Sequence, residues 1–135
     1  MLEAITAMAS VIGDPYLLML IAVTTVLGIV IGVLPGLGAT TGAALLLPFT
    51  LTMSPVNAIA VLATLYVSAT FAGSITAILI NTPGTSAAAA TTFDGFPLAQ
   101  RGEAGRALGI AVVSSTIGGI FSIIVLCLAK VAATG

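Results

Sequence analysis

The chain has 135 residues, of which 59% are hydrophobic and 5% charged, with a net charge of −1 and a mean hydropathy of +1.30. A soluble domain carries about a quarter charged residues, so this composition excludes a water-facing surface, and the slight acidity excludes a basic footprint for nucleic acid or anionic lipid. The absence of histidine and the single Cys127 exclude a His or Cys metal site, a Ser-His-Asp arrangement and an intrachain disulfide.

No Asp, Glu, Lys, Arg or His occurs between Asp14 and Asp94, and a second charge-free run extends from Ala107 to Ala129. Runs of that kind are stable in a bilayer. The expected fold is a single all-α integral membrane domain over residues 1–135, with about three full transmembrane helices and short half-helices or re-entrant segments at Pro-Gly breaks.

The amino-terminal Met1–Ala4 carries an acid where a secretory leader would carry a basic region, so the whole chain is taken as mature protein. Asp14-Pro15 is a helix start, with Asp as N-cap and Pro at the first position, and Tyr16 is an interfacial anchor. A first crossing is predicted over residues 15–34. Pro35-Gly36-Leu37-Gly38 breaks it, because Pro lacks an amide hydrogen and Gly costs conformational entropy. Residues 39–47 then allow a half-helix of about 14 Å, too short to span, with Pro48 as its stop.

Ser54-Pro55 repeats the capped start and opens a second crossing over residues 55–80. A break and re-entrant segment follows over residues 81–97, in which Asn81-Thr82-Pro83-Gly84 leads to a small-residue stretch and Phe93-Asp94-Gly95-Phe96-Pro97 is expected to turn. Residues 98–106 form an interfacial loop and residues 107–129 the last crossing, with Lys130 at its far end. Arg101 and Arg106 vote for a cytoplasmic loop and Lys130 votes against them. Gly28, Gly32 and Gly36, and Ala69, Gly73 and Ala77, form four-residue stripes that let helix backbones approach closely, and the last crossing carries Ser114, Ser115, Gly118, Gly119 and Ser122.

The groups available for binding gather at the interruptions. A half-helix that starts within the membrane presents free amide hydrogens and a positive dipole end to an anion, whereas carbonyls at the preceding helix end, with Thr and Ser oxygens, suit a cation such as sodium. The candidate binding residues are Gly36, Gly38, Thr40 and Thr41 at the first break, and Asn81, Thr82, Gly84, Thr85 and Ser86 at the second. Asp94 is read first as a turn residue and otherwise as a cation ligand or proton carrier.

Gly32-Val33-Leu34-Pro35-Gly36-Leu37-Gly38-Ala39-Thr40-Thr41, with Leu45-Leu46-Leu47-Pro48-Phe49-Thr50, resembles the amino-terminal signature of the TctA family, the large membrane subunit of tripartite tricarboxylate transporters. Phe71-Ala72-Gly73-Ser74-Ile75, Asn81-Thr82-Pro83-Gly84 and Asp94-Gly95-Phe96-Pro97-Leu98-Ala99 resemble the same family. The resemblance implies a multi-pass secondary transporter of the bacterial inner membrane that takes up carboxylates such as citrate. It implies as partners a periplasmic binding protein and a small membrane subunit, with Na+ or H+ as coupling ion and no cofactor. It also implies that the chain is the amino-terminal portion of a larger permease. The competing expectation is a small non-transporting scaffold that packs through its Gly and Ala stripes.

Overall fold

The computed structural model describes residues 13–134, so the reading of Met1–Ala4 lies outside the described residues. In order the elements are α1 (Pro15–Val33), α2 (Ala39–Thr50), α3 (Pro55–Ile80), a 3-10 turn (Ser86–Ala88) that runs directly into α4 (Ala89–Gln100), and α5 (Ala104–Thr134). Three of these, α1, α3 and α5, are long and apolar enough to cross a membrane, and α2 is a shorter apolar helix. The protein is all-α among the described residues, as the composition requires.

Both capped starts form as expected. The Asp14 carboxylate accepts from the Tyr16 and Leu17 amides at 3.0 and 3.4 Å, and the Ser54 hydroxyl accepts from the Asn57 amide at 3.5 Å. Each satisfies amides that a helix start leaves unpaired.

Helix α3 is the spine of the bundle. It has 26 residues, about 39 Å, and holds the largest fully buried side chains, Leu65 and Ile78. Helix α1 lies parallel to it, because Gly28 faces Leu65 and Ser68 while Gly32, one turn on, faces Ala69. A Cβ on Gly32 would stand 2.7 Å from the Ala69 Cα and overlap the Ala69 carbonyl, and one on Gly28 would overlap the Ser68 hydroxyl. Only glycine allows this approach. Gly36 does not extend the stripe; it adopts φ +88° with no heavy atom near its missing side chain, and it serves the turn that ends α1.

Helix α2 returns antiparallel to α3. Its start, at Gly42, packs on Ile31 and Leu65, and its later residue Leu47 lines a groove with Ile59 and Leu62, nearer the beginning of α3. The helix continues through Pro48 to Thr50 instead of stopping at residue 47. Pro48 sits in the last turn, where it removes one hydrogen bond, and hydroxyls satisfy two of the carbonyls that the helix end leaves unpaired: Thr50 donates to the Leu47 carbonyl at 2.7 Å and Thr52 to that of Phe49 at 2.9 Å.

At the far end of α3, Asn81 takes the left-handed conformation (φ 56°, ψ 24°), and the Thr82 amide reaches back to the Thr76 carbonyl at 3.4 Å, which closes a Schellman-type cap. The chain then doubles back along its own helix until the Gly84 amide donates to the Gly73 carbonyl at 3.3 Å. Gly73 lies seven residues before Ile80, about 10 Å down the axis. From that depth the 3-10 turn and α4 climb outward again, with Gly95 pressed against Ile78.

The Phe93–Pro97 stretch, expected as a turn, is helical. Gly95 is there for close packing, since a Cβ would come within 2.7 Å of the Ile78 Cγ1, and Pro97 occupies the last turn of α4, where one lost hydrogen bond is tolerated. Helix also satisfies the backbone polar groups that a bilayer cannot. The expected loop over residues 98–106 is reduced to a tight turn at Arg101–Glu103, with Gly102 at φ +81°. Helix α5 consequently starts at Ala104 and runs through Lys130 to Thr134. Its first turn carries an Arg106–Glu103 ion pair of 2.8 Å, well exposed, and pairs of that kind contribute little to stability.

Candidate functional site

The two Pro-Gly breaks meet. The carbonyl of Gly32, at the end of α1, lies against Gly84 of the second break. A Cβ on Gly38 would stand 3.4 Å from the Gly84 carbonyl and 3.8 Å from the Thr85 methyl group. Thr85 in turn packs on Gly73, where a Cβ would be 3.1 Å from both its amide and its methyl. The two breaks, far apart in sequence, are thus locked together through Gly32, Gly38 and Gly84.

Between them is a cleft of about 270 Å³ lined by Gly38, Ala39, Thr40 and Thr41 on one wall and by Gly84, Thr85, Ser86 and Ala87 on the other, with Tyr66 and Thr70 of α3 at its floor. Two helix starts therefore open on one space: α2, whose N-cap Gly38 has no side chain to cap it, and the 3-10 turn leading into α4. The amides of the first residues of α2 have no partner within the helix, and each start carries the positive end of a helix dipole.

The hydroxyls around the cleft divide into committed and uncommitted. Thr85 accepts from the Ala88 amide at 3.3 Å and holds the 3-10 turn, and Thr70 donates to the Tyr66 carbonyl at 2.7 Å, the usual fate of a hydroxyl on an apolar helix. Thr40, Thr41 and Ser86 form no such bond and stand exposed in the cleft. They are the side chains with hydrogen-bonding capacity to offer a ligand.

Of the residues named from sequence, Gly38, Thr40, Thr41, Gly84, Thr85 and Ser86 come together here. Gly36, Asn81 and Thr82 do not line the cleft: Gly36 and Asn81 supply positive-φ turns, and the Thr82 hydroxyl donates to the Ile80 carbonyl at 3.3 Å. Asp94 lies within α4, nine residues beyond Thr85, and lines a different cleft between α3, α4 and α5. Tyr66 and Thr70 were missed. They sit one helical turn apart inside an apolar run, where period alone cannot separate a binding face from a lipid-facing one; the only available sign was polar side chains at i and i+4.

No group of three or more His, Cys, Asp or Glu side chains able to hold a metal occurs among the described residues. The cleft therefore offers amides, hydroxyls and one phenol, a donor-rich and uncharged set.

Residues 18–134 match the family model described as "Tripartite tricarboxylate transporter TctA family". A curated relative from Agrobacterium vitis, described as "Uncharacterized 52.8 kDa protein in TAR-I ttuC' 3'region", is 45% identical over 107 residues, which cover 79% of this chain and 21% of the relative. The chain thus spans about a fifth of the length of that relative. No solved structure matches.

Proposed function

This chain belongs to the tripartite tricarboxylate transporter TctA family, and we propose that it supplies one side of the substrate path of a carboxylate permease in the bacterial inner membrane. In this reading a periplasmic binding protein delivers the carboxylate, a small membrane subunit accompanies the permease, and a co-transported cation, Na+ or H+, drives uptake.

The observation that carries the proposal is the convergence of two helix starts and three uncommitted hydroxyls, those of Thr40, Thr41 and Ser86, on one cleft. No Lys or Arg lies between Asp14 and Asp94, so an anion held there relies on amides and dipoles. Each helix start is equivalent to roughly half an elementary charge, so two provide about one. That suits a single carboxylate group; a tricarboxylate carries more negative charge than two dipoles offset, and the deficit is what co-transported cations would supply. The roles follow from position. Gly38 and Gly84 bring backbone to the ligand, Thr40, Thr41 and Ser86 donate to it, and Thr85 holds the second wall in place.

The test is uptake of labelled citrate and other carboxylates by vesicles that contain the complete system. Thr41→Val together with Ser86→Ala removes two donors and is expected to raise the half-saturating carboxylate concentration at least tenfold, whereas Thr82→Val, outside the cleft, leaves uptake within twofold. Unchanged uptake in the cleft variant would sink the assignment.

A further inference from the structure

Asp94 faces a second cleft, of about 460 Å³, distinct from the one between the helix starts and framed by α3, α4 and α5. Ser74 of α3, Thr91 of α4, and Ser114 and Ser115 of α5 line it beside the carboxylate. We propose that this cleft binds a monovalent cation of the size of sodium, with the Asp94 carboxylate as the charged ligand and the Ser74, Thr91 and Ser115 hydroxyls as neutral ones. The proposal names the place of the coupling ion and rests to that extent on the permease reading.

Two observations support it beyond the presence of an acid. First, the hydroxyls here are uncommitted. Thr25, Ser68, Thr70, Thr76, Thr92 and Thr116 each donate to a carbonyl of their own helix at 2.7 to 3.1 Å, as hydroxyls in an apolar setting do. Ser74, Thr91 and Ser115 make no such bond and line the same cleft as Asp94. Second, the hydroxyls come from three different helices: the close contact of Gly95 with Ile78 joins α4 to α3, and α5 packs beside them through the buried Ala107. Asp94 is exposed toward the bilayer-level surface of the bundle, where an unpaired carboxylate is costly, and the described residues offer it no salt bridge.

The charge count selects the ion. One carboxylate among neutral hydroxyls balances one positive charge; a divalent cation would leave a net charge in an apolar site, and calcium or magnesium sites draw on more than one carboxylate or on substrate phosphates. Hard oxygen ligands without imidazole or thiolate do not favour a transition metal.

The experiment is saturable binding of radioactive sodium to the purified protein in lipid nanodiscs, without any carboxylate. Wild-type protein is expected to bind sodium in competition with unlabelled sodium and not with choline. Asp94→Asn, folded by its circular dichroism, loses the binding, and Ser74→Ala with Ser115→Ala weakens it at least tenfold while keeping the acid. Thr82→Val, outside both clefts, binds as wild type. Absence of saturable binding, retention of it in Asp94→Asn, or equal loss in Thr82→Val would overturn the proposal. Because carboxylate is left out, failure of the central-cleft reading appears in uptake and not in this measurement.

Discussion

Two parts of the molecule carry the same small-residue signature and use it in opposite ways. Along α1 and α3, Gly28 and Gly32 are pressed against Leu65, Ser68 and Ala69 so closely that a single added carbon would meet backbone. Along α5, Gly105, Gly109, Gly118 and Gly119 have no heavy atom within 4 Å of where a side chain would be, and the membrane-length stretch of that helix buries nothing. Small residues four apart permit close packing without compelling it. What separates the two cases is the opposite surface: α3 presents Ser68, Ala69 and Gly73 in register with the glycines of α1, whereas α5 meets its neighbours only near its amino-terminal half, around Ala107, Ala111 and Ser115.

The largest expected effect lies on the packed seam. Gly32→Val places branched carbons into the Ala69 backbone, which cannot rotate away, and is expected to destabilise the bundle by about 3 kcal/mol or more, measured as thermal or denaturant unfolding in nanodiscs. Gly84→Ala acts in the same place from the other side, because its Cβ would overlap the Gly32 carbonyl and stand 2.9 Å from the Gly73 Cα. It is expected to abolish uptake in a complete permease by pushing the second break off α3 and opening the cleft. If Gly84→Ala transported normally, the contact of Gly84 with Gly32 and Gly73 would not be what shapes the site.

A smaller effect separates turn chemistry from ligand chemistry at the second break. Asn81→Ala forces a residue with a Cβ, and without the amide that eases it, into φ 56°, at a cost of about 1 kcal/mol, whereas Asn81→Gly fits that conformation and is expected to be nearly neutral. If Asn81 contacted the carboxylate, both substitutions would impair uptake alike. An impaired Ala variant beside an intact Gly variant identifies a capping residue.

The contrast also explains what the sequence disclosed. Charge-free runs placed α1, α3 and most of α5, and the Asp-Pro and Ser-Pro pairs marked two starts, because these signals are local and each has one physical meaning. The interruptions at Pro35 and Pro83 were legible for the same reason. Pro48 was over-read as a stop and Pro97 as part of a turn: a proline in the last turn of a helix costs only one hydrogen bond, and sequence does not show which turn is last. Gly95 looked like turn chemistry beside Asp94 because its true requirement, contact with Ile78, is a tertiary fact. The gathering of Thr40, Thr41 and Ser86 was foreseen as two walls, but that Tyr66 and Thr70 form the floor depends on which face of α3 the hairpin covers, and a helix that is apolar all round has no period to reveal it.

The smallest expected effect is the one that tests the other half of the comparison. Gly118→Ala on α5 meets nothing, so no packing is lost or gained within the bundle. In water such a change would stabilise a helix by up to about 1 kcal/mol through reduced chain entropy; in a bilayer the unfolded reference is itself helical, because unpaired backbone groups are too costly there, and that gain largely disappears. Gly118→Ala is therefore expected to leave unfolding within about 0.5 kcal/mol, whereas Gly28→Ala, one methyl on the same residue type, is expected to cost several times more because it collides with Ser68. Removing the hydroxyl with Ser68→Ala should recover part of the Gly28→Ala loss and none from Gly118→Ala. A loss at Gly118 as large as the loss at Gly28 would mean that α5 is packed through its middle against another surface.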